Sequence, residues 1–122
     1  MVSYKTKIAP VKRIEDMIYL IRGQRVMLDF DLARIYGVTT KRLKEQYRRN
    51  VERFPNDFAF QLANQELANL RSQFATSSLH GGHRYLPIVF TEHGALMAAN
   101  ILNSPRAVAM SVYVRRTRTA ST

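Results

Sequence analysis

Not one of the 122 residues is cysteine, which excludes a disulfide framework, a thiolate metal site and a cysteine nucleophile, and fits a reducing compartment. No apolar stretch reaches the length of a membrane span, and the basic opening residues are followed by no apolar leader core. The chain therefore reads as soluble, not exported and cytoplasmic, with no membrane partner. Acidic residues are scarce, nine against nineteen Lys and Arg, so the net charge is +10. That imbalance favours a polyanionic partner and says nothing about fold. What is present is ordinary for one folded domain: 46% hydrophobic residues and 10% aromatics in a length that leaves no room for a two-domain enzyme.

The positive charge is segregated. Residues 5–25 hold six basic and two acidic groups, residues 41–53 the same, and residues 106–118 four basic and none acidic. The stretch between Phe54 and Pro105 is nearly neutral and apolar. Thr76-Ser77-Ser78 running toward Gly81-Gly82 reads as a loop. These shifts divide the chain into a basic arm over 1–16, a single domain over 17–118 and a short tail over 119–122.

Local patterns predict the elements. Two β-prone runs, Met17–Ile21 and Arg25–Leu28, flank Arg22-Gly23-Gln24 and predict a hairpin. Asp29 is placed to cap a helix of about two turns that stops at Gly37, a residue suited to a left-handed C-terminal turn. Thr39 and Thr40 offer capping hydroxyls to a second helix, whose apolar residues Leu43, Tyr47, Val51 and Phe54 share one face before Pro55 ends it. Phe58, Phe60 and Leu62 alternate as in a strand with one buried face. A helix led by Asn64 follows, with Leu67, Leu70 and Phe74 inward. Tyr85–Phe90 predicts another strand, pushed to a sheet edge by Pro87. A helix over Glu92–Leu102 and a last one entered through Ser104-Pro105 complete the chain.

Two short helices joined by Gly37-Val38-Thr39, the second of them basic, have the layout of a helix-turn-helix. Ala33, Gly37, Val38 and Leu43 fall where a small contact residue, a reversal and apolar locks are required. On a helical wheel Lys41, Arg42, Glu45, Arg48, Arg49 and Glu52 lie opposite the apolar side. Such a face suits a major groove, with Arg42 and Arg49 able to donate bidentately to guanine. Thr39, Thr40 and Lys44 are the expected phosphate contacts, and Arg22 and Arg25 at the hairpin turn are expected to act as a wing on the neighbouring backbone.

The run from Ile21 to Leu62, with LDFDLARIYGV and RRNVERFP inside it, then LRSQFATSS, and then RYLPIVFTEHGALMAANILNS, resembles the KilA-N-type DNA-binding family of phages and bacteria, specifically its phage open-reading-frame-six N-terminal branch. The similarity covers about Ile18 to Val114. It implies an α+β domain that binds DNA, typically the amino-terminal module of prophage regulators or antirepressors with a variable carboxy-terminal domain. Tyr47 departs from the family pattern, standing where an aliphatic residue is usual.

Signals for catalysis are weak. His80 and His83 are separated by two glycines and have no acidic or thiol partner at matching spacing, so no metal or other cofactor is expected. Glu92-His93-Gly94 reads as a structural strand-to-helix junction, with Glu92 favoured by the helix dipole and His93 bonding across the turn. Asp29-Phe30-Asp31 reads as a capping aspartate beside a solvated one, not as a nuclease site, which needs further carboxylates. Phe58, Phe60 and Tyr85 fit core burial better than base stacking. The expectation is a non-enzymatic α+β domain, a small sheet and hairpin packed on helices including a helix-turn-helix, that binds double-stranded DNA. The alternative is an antirepressor or dimerisation module, motivated by the apolar run Ala107 to Val114, with a homodimer through that helix.

Overall fold

A two-residue turn needs both central residues at positive φ if it is to match strand twist, and Arg22 (φ 55°) and Gly23 (φ 75°) supply this between β1 (Ile18–Ile21) and β2 (Gln24–Leu28). The computed structural model describes residues 13–73 and 86–120, excepting the side chains of Gln73 and of residues 113–120. Phe74, the 76–82 loop, His80, His83, Tyr85, most of the basic arm and the last two residues lie outside the described residues.

The hairpin opens a four-stranded antiparallel sheet of order β1-β2-β4-β3, in which β3 is Ala59–Gln61 and β4 is Ile88–Phe90. Around it stand α1 (Asp29–Tyr36), α2 (Thr40–Arg49), α3 (Asn64–Gln73), α4 (Glu92–Leu102) and α5 (Pro105–Ala120), so the class is α+β. Register sorts the side chains into two cores. Ile18, Met27, Phe90 and Ala59 align across the strands on the face that meets α1, α2, α4 and α5, where Leu32, Tyr36, Leu43, Ala98 and Ala107 are fully buried. Tyr19, Val26, Leu28, Val89 and Phe60 align on the opposite face, covered by Leu67 and Leu70 of α3. The sheet is thus buried on both faces, the role that alternating apolar residues serve in a layered domain.

Four local expectations are corrected. The Ile88–Phe90 strand is central, between β2 and β3. Pro87 stands just before the ladder, where its missing N–H matters least, and its carbonyl accepts from the Leu62 N–H at 2.9 Å. Phe58 precedes β3 and packs on the α4 side, not with Phe60 and Leu62. The second helix ends at Asn50, whose side-chain amide donates to the Gln46 carbonyl at 2.8 Å, well before Pro55. Val51 consequently falls in a single 3-10 turn, 52% exposed, and leaves the apolar face to Leu43, Tyr47 and Phe54.

The fourth concerns Asp29 and Asp31, which are both buried. Asp29 is the first residue of α1, the cap position falls to Leu28, and its Oδ2 accepts from the Ile88 N–H at 3.1 Å. Because Leu28 pairs with Val89, this carboxylate continues the β2–β4 ladder where the β2 backbone has turned into helix.

Candidate nucleic-acid interface

The reversal between α1 and α2 is built as expected. Gly37 takes φ 73°, its N–H donates to the Arg34 carbonyl at 3.2 Å, and the Val38 N–H donates to the Ala33 carbonyl at 3.0 Å. This doubly bonded left-handed ending satisfies carbonyls that the helix leaves open. Two residues later Thr39 caps α2, its Oγ1 accepting from the Arg42 N–H at 3.0 Å. The Thr39 hydroxyl keeps its own proton to donate, and Thr40 stands half-buried as the first helical residue.

One side of α2 is fixed in the core. Leu43 is fully buried, and the Tyr47 ring meets Phe54 and Phe90 edge-on at centroid distances of 5.1 and 5.9 Å. Partial burial pushes the Tyr47 hydroxyl pKa up, against the opposing pull of the Arg48 charge. On the other side Lys41, Arg42, Arg48 and Arg49 are all exposed, with Lys44 half-buried beside them. Glu45 and Glu52 share the exposed surface, so its charge is mixed but predominantly positive.

The two hairpin arginines part company. Arg22 donates through Nε and Nη2 to the Glu66 carboxylate of α3 at 2.8 and 3.0 Å, and its guanidinium lies 4.1 Å from the centroid of the Phe60 ring. The hydrogen bond from Arg22 holds the Glu66 carboxyl below the usual carboxylate range against a smaller desolvation effect. Arg22 is therefore tied to the α3 side in an ion pair with Glu66. Arg25 aligns with Leu20 on the helical face of the sheet, and both line a cleft of about 350 Å³ with Gln24, Glu92 and His93 at the start of α4.

The FTEHG string is a structural seam. Phe90 is core; Thr91 caps α4 by accepting from the Gly94 N–H at 3.3 Å and donates to the Asp57 and Phe58 carbonyls. His93 stacks on the Phe58 ring, in place of the expected hydrogen bond across the turn. Gly94 rests on the Phe58 carbonyl, where any Cβ would overlap backbone.

Two residues at these sites escaped the sequence reading. Glu66 matches a charge forty-four positions away, which no local pattern reveals. Arg106 reaches from α5 to the α1–α2 reversal: its Nε donates to the Ile35 carbonyl at 3.0 Å and its side chain lies against Gly37. A signal for it existed, since a cation in the first turn of a helix opposes the helix dipole and needs an acceptor elsewhere.

Among the described residues, no helix is long and apolar enough to cross a membrane. No curated protein and no solved structure matches the chain significantly. A family match does exist: residues 16–101 fit the ORF6N domain, which agrees with the open-reading-frame-six part of the resemblance noted above but does not reach its KilA-N part. That match spans the sheet, α1 to α3 and nearly all of α4, and on it the chain belongs to the phage-type ORF6N domain family.

Proposed function

We propose that the chain binds double-stranded DNA through a helix-turn-helix formed by α1 and α2, without catalysis or a cofactor, as the DNA-binding module of a prophage-type regulator. One observation carries this reading: Leu43 and Tyr47 anchor α2 from below while Lys41, Arg42, Arg48 and Arg49 stand together in solvent above. A helix held in this way presents a rigid cationic ridge that suits the major groove. Thr39, Thr40 and Lys44 flank its start as phosphate contacts, and Arg22 and Arg25 at the hairpin turn are the proposed wing on the neighbouring backbone.

The test is binding to a labelled duplex across a salt series. Neutralising about five phosphates gives a slope of roughly −4 to −5 in log affinity against log salt. A slope near zero would falsify DNA binding. Selection from a random duplex pool then reports whether Arg42 and Arg49 read base edges.

A specific observation also favours the second reading, self-association or capture of another protein by α5. Ala107 and Ser111 face the core, but Val108 and Val112, one turn apart, are 53% and 49% exposed. An apolar pair at that spacing on an outer helix face is the geometry of a helix-to-helix contact.

A further inference from the structure

The first turn of α5 holds a cation where none is favoured by its own helix. Ser104 caps α5, its Oγ accepting from the Ala107 N–H at 3.2 Å, and Pro105 and Arg106 follow as the opening helical residues. Arg106 is exposed, yet it is not loose. Its Nε is bonded to the Ile35 carbonyl near the negative end of α1, and its Cδ passes over Gly37 at a point where a side chain on residue 37 would block it. Among the described residues the hydrogen bond of this exposed side chain is made through Nε, which leaves the Nη groups of the guanidinium for a further acceptor. Gly37, against which the Arg106 side chain lies, is two residues from Thr39, a span of at most about 7 Å of chain, so the guanidinium is held in the neighbourhood of the entrance to α2.

We infer that Arg106 is a phosphate-binding residue of the same interface, contributed by a helix that lies beyond the matched family region. The inference rests on the DNA-binding reading above. Its proposed ligand is a backbone phosphodiester of the duplex, taken by the Nη groups while Nε stays on the protein, on the same side as the threonines that open α2. Pinning through Nε removes much of the rotamer freedom that a long cationic side chain would lose on binding. The contact adds affinity without base preference.

Two variants of the full chain test this, Arg106→Gln and Arg106→Lys, each measured for thermal midpoint and for duplex affinity across salt. Arg106→Gln is expected to weaken binding several-fold, equally for unrelated duplexes, and to make the salt slope shallower by about 0.9, the signature of one lost phosphate. Arg106→Lys, which keeps the charge but lacks the planar fork, is expected to keep the slope. An unchanged slope in Arg106→Gln overturns the inference, whatever its thermal midpoint. So does an equal loss of affinity and midpoint in both variants, which would make Arg106 a clamp on the turn and nothing more. A native chain without salt-dependent binding would instead sink the DNA reading itself, and the two failures are distinct.

Discussion

Arg22 and Arg25 stand three residues apart on one hairpin and meet different neighbours, because Arg22 lies in the turn at positive φ and Arg25 in β2. Arg22 meets Glu66 in a two-bond pair over the Phe60 ring, while Arg25 faces the cleft beside Glu92 and His93. The pair leaves a titration signature. Glu66 has a folded pKa below its unfolded one, so its contribution to stability is present above the usual carboxylate pKa and is lost as pH falls through the depressed folded value. Carbon-detected NMR is expected to show Glu66 titrating below the ordinary glutamate range, and Arg22→Ala is expected to return it to that range. Coincident titration in both proteins would remove the pair as the cause. The FTEHG string has a residue-scale explanation too: Phe90 is core, Thr91 and Gly94 meet the 57–58 backbone, and His93 stacks on the Phe58 ring.

Two glycines at element ends share a left-handed backbone and differ in their surroundings. Gly23 (φ 75°) has open space where a Cβ would go, whereas a Cβ on Gly37 (φ 73°) would overlap the Arg106 side chain. Gly23→Ala should therefore cost only the conformational penalty, about 1 kcal/mol. Gly37→Ala should cost more, because Arg106 must leave the Ile35 carbonyl as well. In an Arg106→Ala background the cost at residue 37 should fall to that at residue 23, which chemical denaturation checks; equal costs without that change would show that Arg106 bears no load on the turn. The turn itself was legible in the sequence because Gly37 and Thr39 act on their own neighbours. Asp29, Val51 and Pro87 were misplaced for one shared reason. Each obeys a sound local rule, but a cap, a periodicity or a proline penalty changes meaning with a distant partner or with one residue of offset from the element boundary. Asp29 meets Ile88, Val51 falls just past Asn50, and Pro87 stands one step outside its ladder.

For the whole molecule, the charge pattern was legible because it is a property of sequence, and the α+β class because its periodicities are local. The strand order and the two cores were not, since both depend on residues 88–90 entering between β2 and β3. Much of the +10 lies outside α2, so under the proposed DNA-binding reading backbone affinity is expected to exceed sequence discrimination. Oligomeric state is the remaining molecular-scale question. If Val108 and Val112 join two copies, light scattering should give a dimer mass at high concentration and a monomer mass for the Val108→Lys, Val112→Lys double variant. A native chain that stays monomeric throughout would dispose of that reading. The sheet order also dictates a sequence of assembly. Of the two inner strands, β4 is the last strand in the chain among the described residues, and Leu28 of β2 waits for Val89 before either core can close. A nascent chain emerging from its amino end can form the hairpin and the α1–α2 unit early, but it has nothing to mount them on. The surface proposed to meet DNA becomes rigid only when synthesis has passed the third strand and α3, so function and completion of the fold arrive together.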